Sequence, residues 1–247
     1  METTWPFVYN FPMSYEGKAK IMKDGPKEGT LVMLFKDDVT AGNGKKKAVI
    51  KGKGKINKAI TLKLLKLLHD NGVPTHLIED IDDRSILVKR LKIFPLEVVV
   101  RNIATGSIVR RLGLEKGMVF KRPLFELFFK NDDLHDPMIC QEHAFMMDLI
   151  YPDDLLIVRN LSMRANEILK QYFDSIGFDL VDIKFEFGVD ENEEIYLADE
   201  ISPDTMRLWE KGTMTSFDKD VFREDKGDLL TTYTEVAKRM GLKIEGI

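Results

Sequence analysis

The chain has 247 residues, of which 44% are hydrophobic and 32% charged, a balance typical of a globular protein with a substantial core. Lysine and arginine number 37 against 41 acidic residues, so the formal charge of −4 provides no global field for nucleic acid or an anionic membrane. No run approaches the ~18 apolar residues of a membrane helix, the N-terminus lacks a secretory-signal pattern, and the single Cys140 allows no internal disulfide. We therefore expect a cytoplasmic protein.

The N-terminal segment reads as two short strands within residues 14–35, joined by the turn DGPKEG. The first strand is expected to place Lys18 and Lys20 on one face, where they can bind phosphates or merely keep a sheet edge soluble. Residues 37–57 are rich in Gly and Lys but contain neither a P-loop nor GxGxxG. We interpret them as a mobile loop that closes over an anionic substrate. RNA binding by the lysines of residues 45–55 is the alternative, and the absence of interleaved aromatic residues weakens it.

A helix is predicted to begin at Asn57, an N-cap candidate, and to end at Gly72, with its apolar stripe in the core. Residues 75–91 then read as two further strands around the turn DIDDRS. The first 90 residues therefore predict a small, mostly β layer carrying one helix, and residues 88–95 are the expected junction to a second domain.

The second domain opens with a buried strand, predicted for residues 96–100, with Arg101 at its end. Thr105, Gly106 and Ser107 then form a turn that precedes a helix over residues 108–112. An arginine beside such a turn can bind a phosphate through bidentate hydrogen bonds, whereas pairing of Arg101 with a structural acid is the alternative.

Residues 123–139 read as an apolar strand followed by a polar loop that contains His135. A zinc site is rejected, because the other three histidines give no ligand spacing around His135. Cys140, in the apolar run MIC, is expected to be a buried small hydrophobe. A long helix within residues 151–177 and a final helix over residues 228–240 are predicted to be structural.

Residues 181–209 carry the strongest chemical pattern. Asp182, Lys184 and Glu186 alternate with apolar residues, as on a strand with one buried face. The turn DENE and a second apolar run predict a hairpin in which Asp199 lies opposite Glu186 on the same face. Two adjacent carboxylates repel unless a cation separates them, and Mg²⁺ carrying nucleotide phosphates is the usual solution. A solvated hairpin is the alternative.

Six blocks in order along the chain resemble one family, the phosphoribosylaminoimidazole-succinocarboxamide synthases or SAICAR synthetases. The blocks are YEGKAK (15–20), TAGNG (40–44), VVVRNIATGSIVRRLG (98–113), PLFELFFKNDDLHDPMI (123–139), KFEFG (184–188) and LADEISPDTMRLW (197–209). The resemblance implies an ATP- and Mg²⁺-dependent ligase that joins L-aspartate to carboxyaminoimidazole ribonucleotide (CAIR) in purine biosynthesis. It also implies an α+β fold of two lobes, with a small β-rich lobe over residues 1–90, a larger α/β lobe over residues 91–247 and ATP held between them in the manner of kinases and ATP-grasp ligases. The resemblance also implies a homodimer.

Taken residue by residue, the resemblance implies a nucleotide end and a substrate end of one site. The nucleotide residues are Lys18 and Lys20 near the phosphates, Lys89 and Leu91 at the adenine-holding hinge, and Glu186 and Asp199 as the Mg²⁺ ligands. The substrate residues are Arg101, Ser107 and Arg207 at the 5′-phosphate, Lys130 near the incoming amino acid, and Asp136, Asp182, Lys184 and Asp204 at the imidazole and carboxylate end. Asp182, Lys184 and Asp204 are the expected catalytic residues. The glycine loop departs from the family by having Asn43 in place of aspartate, and a neutral amide cannot act as base or metal ligand, so Asn43 is given no catalytic role.

The chemistry fits this inventory, since activation of a carboxylate by phosphoryl transfer needs positioning and charge neutralisation more than a protein nucleophile. A kinase-like phosphotransferase is the competing enzyme hypothesis, with Glu186, Phe187 and Gly188 in place of the metal-binding D-F-G. No H-R-D catalytic loop accompanies them.

Overall fold

The computed structural model describes residues 14–41, 44 and 46–246, which form a mixed α/β structure with antiparallel sheets. The strands are β1 (Ser14–Glu16), β2 (Lys20–Asp24), β3 (Thr30–Phe35), β4 (Asp38–Ala41), β5 (Lys46–Val49), β6 (Leu77–Asp80), β7 (Ser85–Lys89), β8 (Lys92–Ile93), β9 (Leu96–Ile103), β10 (Val119–Phe129), β11 (Met138–Ile139), β12 (Phe178–Val189), β13 (Ile195–Ala198) and β14 (Met206–Glu210). The helices are α1 (Lys53–Asp70), α2 (Ser107–Leu112), α3 (Gln141–Met146), α4 (Pro152–Ser175), α5 (Asp220–Arg223) and α6 (Leu229–Arg239), and a 3-10 turn spans Asp132–Leu134.

The strands form two main sheets that divide the chain in order. The first sheet runs β1-β2-β3-β7-β6, and the second runs β11-β10-β9-β12-β13, with β8 and β14 also paired to β12. The change of sheet falls between Lys89 and Lys92, within the junction expected at residues 88–95. A separate hairpin is formed by β4 and β5.

Strand β12 is the centre of the second sheet. It pairs with β9 and β8 along one edge and with β14 and β13 along the other, always antiparallel. Ile183, Phe185 and Phe187 are buried in the core, as the alternating pattern predicts. Asp182, Lys184 and Glu186 therefore share the opposite face, and every edge of that face is supported by a neighbouring strand.

Two long helices bury the remaining apolar faces. Helix α4 packs its apolar stripe against β9, β10, β12 and β13, and Pro152 at its first turn supplies a backbone angle already suited to a helix. Helix α1 packs on β3, β6 and β7 and also against α4 and α6. The resulting core is continuous through both sheets. None of the helices that the structure describes is long and apolar enough to span a membrane.

The central hairpin differs from the predicted register by one residue. Glu186 pairs with Ala198, not with Asp199, because β12 ends at Val189 and a five-residue loop separates it from β13. Asp190 closes this loop by accepting hydrogen bonds from the backbone N–H groups of Asn192 (2.9 Å) and Glu194 (3.1 Å). A one-residue slip normally moves a side chain to the other face.

The prediction of a mobile loop over residues 37–57 is wrong for the part that the structure describes. Residues of this segment form the β4–β5 hairpin and the first turn of α1. The helix begins at Lys53 and not at Asn57, because Gly52 takes a left-handed conformation (φ 95°) that ends the preceding turn. Asn43 lies outside the described residues.

Two smaller expectations also need correction. Lys18 lies in the bend between β1 and β2, so it does not share a strand face with Lys20. Cys140 is exposed, because it precedes the short helix α3 at the sheet's outer edge and does not enter the core.

Candidate active site

The face of β12 that carries alternating charges brings three of the six predicted nucleotide residues, Lys20, Glu186 and Asp199, together around Lys184. The Lys184 ammonium lies 2.7 Å from Glu186 Oε1, 3.0 Å from Glu97 Oε1 and 3.7 Å from Asp199 Oδ2. Lys20, from the first sheet, contacts Asp199 and lies 3.2 Å from Glu200 Oε1. Lys130 completes the group at 2.5 Å from Glu186 Oε2. We call this group, Lys20, Glu97, Lys130, Lys184, Glu186, Asp199 and Glu200, the carboxylate–lysine centre.

Asp199 reaches this centre through a strained backbone. It follows the last residue of β13 and has φ 66°, a left-handed conformation that residues with side chains seldom adopt. The turn brings its carboxylate back beside Glu186, so both acids face the same ammonium group despite the shifted register. The predicted proximity of the two carboxylates is therefore confirmed, although the predicted pairing that would cause it is wrong.

His76 supports the Asp199 turn from the first half of the chain. Its imidazole hydrogen-bonds to the backbone carbonyl of Asp199, and its own backbone N–H donates to the carbonyl of Leu197 (2.9 Å). Burial lowers the pKa of His76 to about 4, so the ring is neutral at pH 7. A neutral donor can hold a carbonyl here without adding charge to the centre.

In the carboxylate–lysine centre, each side chain whose pKa is shifted is held in its charged form. Burial alone would raise the pKa values of Glu186 and Asp199, but Lys184 and Lys20 outweigh it and hold both below their usual range. Burial would likewise lower the pKa values of Lys20 and Lys184, yet the neighbouring carboxylates raise them. The centre therefore presents four carboxylates to three ammonium groups, and this balance suits an added cation.

A second group surrounds Asp182, two residues before Lys184. It is an alternating series of four arginines and three acids that we call the arginine chain: Arg111, Glu126, Arg101, Asp182, Arg207, Asp220 and Arg223. Its six successive contacts are 2.6 Å (Arg111 to Glu126), 2.6 Å (Glu126 to Arg101), 2.6 Å (Arg101 to Asp182), 2.8 Å (Asp182 to Arg207), 2.8 Å (Arg207 to Asp220) and 2.6 Å (Asp220 to Arg223). The members come from α2, β10, β9, β12, β14 and α5.

The turn before α2 lies against the middle of this chain. Arg101 Nη2 donates to Ser107 Oγ (3.3 Å), and a Cβ added to Gly106 would lie 3.0 Å from Arg207 Nη2. Gly106 also has φ 63°, so glycine is required both by its backbone and by the close approach of the guanidinium. The predicted grouping of Arg101, Ser107 and Arg207 is thus observed, with the acids that hold the arginines added to it.

Asp204 lies in a third, deeply buried group. Its carboxylate accepts hydrogen bonds from Asn57 (2.8 Å) and the Tyr233 hydroxyl (2.8 Å), pairs with Lys53 at 2.5 Å and lies 3.7 Å from Lys219. Burial would raise the pKa of Asp204, but Lys219 and Lys53 keep it below the usual range. These contacts tie the segment between Asp199 and Arg207 to α1 and α6.

The other predicted site residues lie at the rim. Lys18 pairs with Asp132 at 2.6 Å in an exposed contact, and Asp136 accepts a hydrogen bond from the backbone of Asn131 (2.8 Å). Lys89 lies 3.5 Å from Asp190 and 4.5 Å from the centre of the Tyr196 ring. Leu91 is buried against the end of β12, where a Cβ on Gly188 would lie 3.0 Å from the Leu91 Cβ. The structure therefore does not bring Lys18 into the carboxylate–lysine centre.

Several members of these groups were missed from the sequence. Glu97 and Glu126 could most easily have been predicted, because each is a single acid inside an otherwise apolar strand (LEVVV and LFELFF). A charge in a strand that is otherwise apolar indicates a buried ion pair. Asp220 and His76 gave no comparable signal, because neither is a lone polar residue within an apolar strand.

Comparison with known proteins identifies the family of the chain. A family model described as SAICAR synthetase matches residues 13–240. A phosphoribosylaminoimidazole-succinocarboxamide synthase from Anoxybacillus flavithermus is 49% identical over 227 residues, covering 92% of this chain and 95% of the relative. A solved SAICAR synthetase in complex with ADP matches with a TM-score of 0.89 and 46% identity over 95% of this chain and 98% of that one. The corresponding synthase of Ehrlichia chaffeensis matches with a TM-score of 0.90 and 41% identity over 93% of this chain and 98% of that one. The chain therefore belongs to the SAICAR synthetase family, the ligases that join L-aspartate to CAIR at the expense of ATP in purine biosynthesis.

Proposed function

We propose that this chain catalyses its family's reaction on the charged face of β12, giving SAICAR, ADP and phosphate. The observation that carries the proposal is the juxtaposition on one strand face of the carboxylate–lysine centre and the arginine chain. Asp182 and Lys184 are two residues apart, which on a strand corresponds to about 7 Å. A nucleotide's terminal phosphates and a second substrate's phosphate can therefore be bound by neighbouring groups without overlapping.

We propose Glu186 and Asp199 as the protein ligands of Mg²⁺. Mg²⁺ in phosphoryl-transfer sites typically takes one or two carboxylates and completes its octahedron with phosphate oxygens and water. Within the part of the chain that the structure describes, no group of three or more His, Cys, Asp or Glu residues has the geometry of a metal site. Glu186 and Asp199 offer the hard oxygen donors that Mg²⁺ prefers, and an ion held there would supply positive charge to offset that of the phosphates.

We propose that the nucleotide lies between two lobes, residues 1–90 and 91–247. Lys20 supports this arrangement, since it extends from the first sheet to Asp199, which follows a strand of the second. The chain passes between the lobes at Lys89 and Leu91, and the backbone of Gly188 comes close to this crossing. We place the adenine at this crossing, and the phosphates at Lys20 with Lys18 at the outer rim.

We propose that the 5′-phosphate of CAIR binds to Arg101, Ser107 and Arg207. Two guanidinium groups and a hydroxyl converge on the Gly106 turn there, and arginine binds phosphate oxygens through paired N–H donors. Asp182 lies between the two arginines, so its contribution is to hold both guanidinium groups in place. Asp136 and Lys130 lie on the loop side of the centre, where we place the imidazole end and the incoming aspartate.

The reaction follows from these positions. The carboxylate of CAIR attacks the terminal phosphorus of ATP and ADP leaves. The amine of aspartate then attacks the carbonyl carbon of the acyl phosphate, forming the amide and releasing phosphate and a proton. Lys184, held by three carboxylates beside both sites, supplies a fixed positive charge where the transferred phosphoryl group gains negative charge. Asp204 acts by positioning, because its contacts hold the Asp199–Arg207 segment in place.

Turnover tests the proposal against its alternatives. We expect sustained ATP turnover, beyond one ADP per enzyme, only when CAIR and L-aspartate are both present, with SAICAR and ADP formed in equal amounts. A kinase-like phosphotransferase would turn over ATP repeatedly with the ribonucleotide alone and accumulate a phosphorylated ribonucleotide, and this result would contradict the ligase. Salt-dependent RNA binding would support the RNA alternative, but Lys53 is buried beside Asp204 and Lys46 and Lys55 are already paired with acids. The homodimer and the cytoplasmic location stay predictions, the latter in keeping with the free Cys140.

A further inference from the structure

The arginine chain has a symmetry that the binding of a phosphate does not by itself require. Asp182 occupies its middle, and each of the two central arginines has a second, outer acid. For Arg101 this acid is Glu126, and for Arg207 it is Asp220. Both outer acids are largely buried, with 3% and 15% of their side chains exposed.

Each outer acid binds the same edge of its arginine. Arg101 Nε donates to Glu126 (2.6 Å), and Arg207 Nε donates to Asp220 (2.8 Å). A guanidinium is planar with five N–H groups in fixed directions, so fixing the Nε edge determines where the terminal nitrogens point. On both arginines one terminal nitrogen faces Asp182, and the other faces the Gly106–Ser107 turn.

We propose that Glu126 and Asp220 are positioning residues that present the terminal nitrogens of Arg101 and Arg207 to the ribonucleotide's 5′-phosphate. The inference rests on the proposed function and extends it to two residues outside the predicted site. Without its outer acid, an arginine loses the contact that fixes its rotation and can fold back onto Asp182. Its donors are then no longer aligned for an incoming anion.

The net charge of the arginine chain also supports positioning roles for Glu126 and Asp220. The chain contains four arginines and three acids, so it balances most of its own charge and retains a surplus for an anion. The surplus is one positive charge, and the terminal Arg111 and Arg223, each with only one acid of the chain, are its most exposed arginines. The outer acids therefore hold the central arginines without cancelling the attraction for a phosphate.

If Glu126 and Asp220 had a purely structural role, removing them would lower the stability of the fold without selectively weakening the binding of the ribonucleotide's phosphate. The experiment measures this difference. We would measure the dissociation constants of ribose 5-phosphate, ribose and ADP for the wild type, Asp220→Asn and Glu126→Gln. Glu210→Gln is the matched control. Glu210 lies on the same strand as Arg207, and it also binds an arginine, Arg239 of α6 (2.9 and 3.0 Å). We expect ribose 5-phosphate to bind about tenfold more weakly to the first two variants, as for one misaligned charged hydrogen bond, with ADP unchanged.

Arg207→Lys provides the second readout, since lysine has no Nε edge for Asp220 to fix. Adding Asp220→Asn to Arg207→Lys is expected to change the affinity for ribose 5-phosphate less than twofold. The inference would be overturned if Asp220→Asn bound ribose 5-phosphate as tightly as the wild type, or if it lost ADP affinity to the same extent. It would also be overturned if Asp220→Asn weakened ribose 5-phosphate binding about tenfold in the Arg207→Lys background as well. If the proposed function itself were wrong, the wild type would not distinguish ribose 5-phosphate from ribose. If Glu126→Gln does not fold, the Asp220 comparison decides the question alone.

Discussion

Asp218 gives a quantitative test of the electrostatics beside the arginine chain. It is fully buried and accepts hydrogen bonds from Asp220 N (2.7 Å), Ser216 Oγ (2.9 Å) and Leu208 N (3.0 Å). These donors favour the carboxylate, but burial and the neighbouring charge of Asp220 outweigh them and raise the pKa of Asp218 to about 7. The carboxyl is therefore half protonated at neutral pH.

The sign of its effect on stability follows from linkage. An acid whose pKa is higher in the folded state than in the unfolded state binds more protons when folded, so protonation favours folding. This contribution is fully present below the ordinary aspartate pKa of about 4 and is lost as the pH rises through about 7. The slope is about 1.4 kcal/mol per pH unit, and the whole effect is about 4 kcal/mol.

The assay is urea unfolding of the wild type and Asp218→Asn at a series of pH values from 5 to 8. The difference in the free energy of unfolding, wild type minus variant, is expected to fall by about 2 kcal/mol between pH 5 and 7, because the other titrating groups cancel. Asp228→Asn is the control, since hydrogen bonds from Thr231 lower the pKa of Asp228 and its difference should be flat over this range. A flat difference for Asp218→Asn would refute the reasoning.

Two further substitutions test the supports of the site. Asp204→Asn leaves the buried Lys53 without its counter-charge, so the free energy of unfolding in urea should fall by about 3–5 kcal/mol, and a loss below 1 kcal/mol would contradict the buried pair. His76→Leu removes the hydrogen bond that holds the Asp199 turn, so ADP affinity in the presence of Mg²⁺ should fall about tenfold. Thr75→Val, in the same buried segment, should leave that affinity unchanged, and an equal loss would show that the segment matters only for packing.

Much of the fold could be predicted from local patterns. The alternation around Ile183 and Phe185 predicted β12, and the apolar stripe within residues 151–177 predicted α4. The errors occur where tertiary contacts override those patterns. Lys53 was read as part of a mobile loop because residues 37–57 are rich in Gly and Lys, but Asp204, 151 residues away, compensates its charge and lets α1 begin there.

The sequence predicted which residues form the candidate site better than it predicted how they are arranged. The alternation predicted that Glu186 and Lys184 share a face, since this follows from the period of a strand. The position of Asp199 could not be derived, because it depends on a positive φ and on the closure of its loop by Asp190, neither of which a pattern of alternating residues specifies. The outer acids of the arginine chain are likewise placed by tertiary structure, Glu126 by the pairing of β10 with β9 and Asp220 by the position of α5 beside Arg207, and the sequence alone does not specify either.

The central claim is that Glu186 and Asp199 hold Mg²⁺ together with the phosphates of a nucleotide. Its most direct test is calorimetric titration of ADP into the wild type and Glu186→Gln, each with and without Mg²⁺. The account predicts that Mg²⁺ strengthens ADP binding to the wild type and that Glu186→Gln loses this gain while binding metal-free ADP at least as well, because a negative charge has been removed. A gain from Mg²⁺ as large in Glu186→Gln as in the wild type would contradict the account.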